Sequence, residues 1–239
     1  MKKTITILLA LIMLLSLAAC GGTAADSTVS TTASAGETNS GTMEVTDLKG
    51  RTVTLPANIE RVVVTFNLEE YLAVTGEAGV DKLVGWSHKY WKGRRDDAYN
   101  AYTKALPAME SIPDVGYNGD ISIEAIISLQ PDVVLASATG ANYNALEPAF
   151  DLLHQAGIEV VFFNFHKQTI ETHQQSIQLI GKIMGQEERA AELARLYEEQ
   201  MDLVYDRLKD LADEDRPSVY MEFSRGPSVI GNSWSKQMW

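Results

Sequence analysis

A single cysteine is all the thiol chemistry in these 239 residues, so an intramolecular disulfide and a multi-cysteine metal centre are both excluded. Basic charge is scarce too: 20 Lys and Arg stand against 32 Asp and Glu, for a formal charge of −12. Holding phosphate backbones takes clustered cations, so no nucleic-acid partner is expected. Long apolar runs are missing. The longest, about 13 residues from Ile5 to Leu17, falls short of the roughly 20 that a membrane-spanning helix needs. There is no G-x-G-x-x-G after a strand, no phosphate-binding P-loop and no G-x-S-x-G. An enzyme would need a nucleophile with its base, a phosphate loop or a metal cluster, and no enzyme is expected.

What is present starts with a targeting segment. Lys2 and Lys3 precede the apolar run, and Leu17-Ala18-Ala19-Cys20 follows it. A cationic start, a short apolar stretch and small residues at its end read as a signal peptide over 1–19. The last four residues resemble the lipobox of bacterial lipoproteins, which implies that Cys20 is lipidated and becomes the new N-terminus. Eighteen of the 22 residues from 21 to 42 are Gly, Ser, Thr or Ala. With little to bury, residues 20–42 are expected to be the lipidated cysteine and a flexible tether spanning roughly 25 Å. The expected location is extracytoplasmic, on the membrane through the lipid.

From residue 43 the texture becomes α/β. Val45 to Leu55, with Asp47-Leu48-Lys49-Gly50 between, reads as a hairpin closed by Pro56. Arg61 to Phe66, Lys82 to Trp86, Asp132 to Ala136 and Glu159 to Phe163 read as buried strands. Leu68 to Gly76, Ser122 to Leu129 and Asn144 to Gly157 read as helices between them. The alternation predicts a parallel-sheet lobe with helices on both faces, over 43–165. Residues 166–213 are almost all helix formers, interrupted at Gly185, and predict a long connecting helix. After Pro217, Val219 to Phe223 restarts the α/β pattern, so 214–239 reads as the start of a second α/β lobe that is incomplete.

Several segments carry a resemblance. They are Asp47-Leu48-Lys49-Gly50-Arg51-Thr52-Val53-Thr54-Leu55-Pro56 before Arg61-Val62-Val63, then Ile112-Pro113-Asp114-Val115-Gly116. Ile123-Glu124-Ala125-Ile126-Ile127-Ser128-Leu129-Gln130-Pro131-Asp132-Val133-Val134 follows, and then Ile180-Gly181-Lys182-Ile183-Met184-Gly185. In that order and spacing they resemble the bacterial substrate-binding lipoproteins of the iron-siderophore and vitamin B12 class, which serve ATP-driven importers. The resemblance implies two lobes joined by a rigid helix, a small-molecule chelate held between them and ABC permease subunits as partners. A monomer is expected. Family members usually run longer, which fits a chain cut within its second lobe. Glu124, in the first turn of its helix, is favoured there by the helix dipole; the resemblance makes it a contact for permease arginines.

In parallel sheets ligands bind beyond the carboxyl ends of the strands. That rule points to Phe66 and Asn67, to the segment from Trp86 onward, and to Ser137. Trp86 to Arg95 holds four cations, three aromatics and no acid in an acidic chain. Trp86, His88, Tyr90, Trp91, Arg94 and Arg95 are therefore candidates to contact flat rings and an anionic chelate. The alternative is a solvated loop whose Arg94 and Arg95 pair with Asp96 and Asp97. The resemblance adds Tyr117 and Asn118 as cleft residues. No cofactor is expected, and the ligand is expected to be a ferric siderophore, with haem, a corrinoid or a chelated oxyanion as alternatives. A bare zinc or manganese ion is the remaining alternative, as in the related metal-binding proteins. Against it, the four histidines include no His-rich loop, and His166 and His173 are seven apart where a helical pair needs about three or four. His154 and His166 are expected to be structural.

Lipidation makes a direct prediction. Each buried methylene contributes about 0.8 kcal/mol of membrane affinity. Cys20→Ala should therefore move the protein from the membrane pellet to the soluble fraction, and continued sedimentation with membranes would rule the anchor out.

Overall fold

Runs of Val, Leu and Phe without polar alternation can be strands only where both faces are covered. The computed structural model, which describes residues 41–165 and 169–216, has four such strands: β3 (Val62–Val64), β4 (Leu83–Trp86), β5 (Val133–Ser137) and β6 (Glu159–Phe163). They pair in parallel in the order β4-β3-β5-β6. Every residue of β3 and β5 is buried. Successive side chains point to opposite faces, so Val62, Val64, Leu135, Val161 and Phe163 join one core cluster while Val63, Val134, Ala136 and Phe162 join another.

Before the sheet, β1 (Thr42–Thr46) and β2 (Thr52–Pro56) form the expected antiparallel hairpin. Its turn is held by Asp47, 4% exposed, whose carboxylate accepts from Lys49 N, Arg51 N and the Arg51 guanidinium at 2.6–3.0 Å. Arg51 Nη2 also donates to Val160 O at 2.6 Å, and Leu48 N donates to Phe162 O at 2.8 Å. Both acceptors lie on β6, the edge strand. The turn thus satisfies carbonyls that would otherwise be open to further pairing.

Helices cover the two faces: α1 (Leu68–Thr75), α2 (Ala78–Lys82), α3 (His88–Arg94), α4 (Asp96–Ala105), α5 (Ile123–Leu129), α6 (Gly140–Leu146) and α7 (Phe150–Gln155). Ser122 caps α5, its Oγ accepting from Ala125 N. The α/β architecture with a parallel sheet and a long C-terminal helix matches the expectation, with differences in detail. The helix expected over 144–157 is divided, because Pro148 sits in a 3-10 turn at Glu147–Ala149 and lacks an N–H for an unbroken helix. The short α2 has no sequence signal strong enough to mark it. The cationic segment after Trp86 is helical as α3 rather than a solvated loop.

The one connecting helix expected over 166–213, with its interruption at Gly185, is two helices over the residues described. Gly185, in the left-handed region at φ 64°, ends α8 (Ile170–Met184), and α9 (Glu187–Leu208) starts after Gln186. The two helices lie antiparallel: Gly181 faces Ala190, and His173 stacks on Tyr197 at 4.0 Å. A Cβ on Gly181 would come within 2.3 Å of the Ala190 Cβ, so glycine is what allows the close crossing. The signal peptide and most of the tether, His166, and the second-lobe strand at 219–223 lie outside the described residues. Among the described residues, no helix is long and apolar enough to cross a membrane.

Candidate functional site

The carboxyl ends of β3, β4 and β5 lead into Thr65, Ser87 and Ala138. A buried polar frame joins them. Thr65 Oγ1 donates to Asn142 Oδ1 at 3.1 Å, and the same oxygen accepts from Ser137 N at 2.9 Å. The Ser87 hydroxyl lies 2.9 Å from Thr65 O and 2.5 Å from Gly116 O. Residues 113–115 run beside the end of β4, with Trp86 N donating to Pro113 O and Val115 N to Trp86 O. That extra pairing brings residue 117 next to α3.

Three rings meet above this frame. Phe66 stacks on Tyr117 at 5.3 Å, and Tyr117 stacks on Tyr90 at 3.5 Å with 10° between planes. A cavity of about 600 Å³ opens beside them, lined by Lys89, Tyr90, Arg94, Asp114, Gly116, Tyr117, Asn118, Gly119 and Asp120. Burial and the neighbouring Tyr90 hydroxyl push the Tyr117 phenol up, so it is neutral at physiological pH. Lys89 Nζ lies 3.6 Å from Asp114 Oδ2, an ion pair screened by solvent on the lysine side. The Arg95 guanidinium lies over the Trp91 ring at 5.2 Å. Among the described residues Arg94 makes no ion pair, and neither arginine pairs with Asp96 or Asp97. Arg94 is thus the cavity cation that remains available to an anion.

The structure brings Phe66, Tyr90, Arg94, Tyr117 and Asn118 together. It corrects three other expectations. Trp86 is fully buried, with Nε1 donating to Met109 O at 3.2 Å and its ring stacked on Tyr99, so it belongs to the core. Trp91 packs edge-on against Tyr102 and is 7% exposed. Ser137 is buried, its hydroxyl bonded to Thr139 Oγ1. The apolar bulk of these residues weighed more than the cations around them: a tryptophan ending a buried strand goes inside.

His88 and Asn67 stand behind the cavity rather than on its lining. The His88 Nδ1 is buried without a partner, and burial, opposed by Asp114, lowers its pKa. Asn67 precedes α1 in the left-handed region without capping it, its side chain beside the Glu70 carboxyl. Lys89, Asp114 and Asp120 were not anticipated. Lys89 had a signal as one of the four cations of 86–95 and Asp114 through its place in Ile112-Pro113-Asp114-Val115-Gly116, while Asp120 had none. Glu124 is exposed at the start of α5, where Ser122 Oγ reaches its carboxylate at 3.4 Å. His154 pairs with Glu159 at the surface. Among the described residues no group of three His, Cys, Asp or Glu is placed to hold a metal ion.

A family model described as periplasmic binding protein matches residues 65–237. An uncharacterised ABC transporter substrate-binding lipoprotein of Bacillus subtilis is 28% identical over 130 residues, which is 54% of this chain and 39% of that protein. The TroA-like periplasmic binding protein FepB of Veillonella parvula superposes with a TM-score of 0.65 at 30% identity, over 75% of this chain and 52% of that one. The molybdate-bound binding protein MolA of Haemophilus influenzae gives 0.62 at 23% identity over 76% and 58%, a likeness of fold. The chain spans about half the length, or less, of the first two relatives.

Glu70, in the first turn of α1, makes a pH prediction. Its Oε2 is buried without a partner, and burial pushes the carboxyl up from 4.5 to about 7. The folded value exceeds the unfolded one, so the stabilising protonated form is fully present below about pH 4.5 and its contribution is lost as pH rises through 7. Glu70→Gln should be more resistant to urea than the parent near pH 8, by about 3 kcal/mol, and close to it near pH 4. A difference that ignores pH would remove Glu70 as its cause.

Proposed function

The chain belongs to the periplasmic binding protein family, and on that footing we propose that it captures an anionic ferric siderophore outside the cell and delivers it to an ABC importer. The observation that carries this reading is Arg94, without an ion pair among the described residues, beside the Tyr90–Tyr117 stack in a cavity of about 600 Å³ at the strand ends. That volume suits a ligand of small-drug size and is large for a bare oxyanion such as the one in the molybdate relative. The aromatic edge accepts a flat catechol or macrocycle, and a guanidinium meets carboxylate or catecholate oxygens through charge-assisted hydrogen bonds. Haem and corrinoids share the flat ring. They place less negative charge against Arg94 than a ferric catecholate does. A bare-metal site finds no support in the ligand groups described. The Bacillus relative's name supports both the importer and the lipid anchor, and the reading is one of transport rather than catalysis.

Titrating the protein with a ferric catecholate, haem, a corrinoid and molybdate, followed by intrinsic fluorescence, separates the alternatives. The ferric catecholate should bind tightest. A charge-assisted hydrogen bond contributes about 1.5–3 kcal/mol, so Arg94→Ala should weaken that binding roughly tenfold or more. Preference for haem or molybdate, or indifference to Arg94, would reassign the ligand.

In this reading the exposed Glu124 meets cationic side chains of the permease. Glu124→Arg should leave chelate affinity intact and abolish uptake by cells that depend on this protein. Normal uptake would place the docking contact elsewhere.

A further inference from the structure

Ser87 occupies an odd position for its residue type. It directly precedes α3, where a serine ordinarily accepts a hydrogen bond from the helix's first N–H groups. Here its side chain makes no cap, and Asp114 Oδ1 accepts from Lys89 N at 2.9 Å instead. The hydroxyl, in a residue 3% exposed, is turned the other way, toward Thr65 O at 2.9 Å and Gly116 O at 2.5 Å. One proton is shared between those two carbonyls.

The residues that follow the two carbonyls are Phe66 and Tyr117, whose rings stack on each other. The helix that follows Ser87 carries Tyr90, the third ring. All three rings therefore attach to the sheet within three residues of one hydroxyl. The Gly116 side of the junction is closed tightly: its φ is +80°, and a Cβ there would meet Asp120 O at 2.0 Å. With that loop fixed, the direction in which Tyr117 leaves it depends on how the Gly116 carbonyl is held.

We infer that Ser87 is the positioning residue of the aromatic wall: it holds the strand exits so that Phe66, Tyr117 and Tyr90 form one stack before any ligand arrives. It does so from beneath, without touching the ligand. The inference rests on the reading of that stack as a ligand wall, and its test has a ligand-free arm.

Ser87→Ala removes the shared donor with little change in volume. Ser176→Ala is the matched control, because Ser176 is a fully buried serine that also bridges backbone groups, those of Asn164, away from the stack. Near-ultraviolet circular dichroism reads the coupled tyrosines and far-ultraviolet signal reads the helices. Ser87→Ala should lose most of the tyrosine band while keeping its helix signal; Ser176→Ala should keep both, even where it lowers the unfolding midpoint as much. Ser87→Thr, which restores the hydroxyl, should recover the band. With a ferric catecholate as probe, Ser87→Ala should bind on the order of tenfold more weakly and Ser176→Ala as the parent does. An unchanged tyrosine band in Ser87→Ala, or an equal loss in Ser176→Ala, overturns the inference. If the parent itself does not bind the catecholate, the ligand reading fails, and the tyrosine band alone decides the role of Ser87.

Discussion

Burial of β3 and β5 on both faces is the constraint on which the rest of the lobe depends. A strand that exposes neither face must have its backbone groups paired by neighbours and its side chains covered by helices on two sides. The chain can then meet water with irregular backbone only at the ends of the sheet. At the carboxyl end the loops are free to carry polar and aromatic groups, and that is where the cavity lies. The edge at β6 is met by Arg51 and Leu48 from the hairpin turn, oriented by the buried Asp47.

The cavity owes its character to how charges are spent around it. The chain is strongly acidic, yet two cations of its most basic stretch, Lys89 and Arg94, line this one wall. Lys89 is held against Asp114 and Arg95 over Trp91, which leaves Arg94. The groups behind the wall are held toward their uncharged forms, His88 and Glu70 by burial and Tyr117 by burial and its neighbouring tyrosine. The lining itself is mixed in charge, Lys89 and Arg94 facing the carboxylates of Asp114 and Asp120. Tyr117 stacks against both Phe66 and Tyr90, so ring contacts already engage it.

Hydrophobic patterning acts over a few residues, and whatever depends on it alone was legible in the sequence. The four parallel strands, the hairpin with its Asp47–Gly50 turn, and the placement of the site beyond the strand ends all follow from apolar runs and their punctuation. So does the interruption at Gly185. The motifs that carry the family resemblance have local physical reasons too: Asp47 and Arg51 lock a turn onto an edge strand, and Gly181 lets two helices cross closely.

Which of several adjacent aromatics faces a ligand is not a local property. Trp86 and Trp91 stood beside Tyr90 among the same cations, and only packing against Met109, Tyr99 and Tyr102 drew the tryptophans inward. Gly185 could have marked a kink; the contact of α9 with α8 turned it into a reversal of direction. The meeting of Phe66, Tyr90 and Tyr117, and the freeing of Arg94 while its neighbours found partners, join residues from two strand exits and from the segment that runs beside β4. Composition and spacing determined which segments reach the mouth of the sheet. Only tertiary structure decided which side chains stand in it, because burial of the larger rings and pairing of the nearer charges are settled between segments distant in the chain.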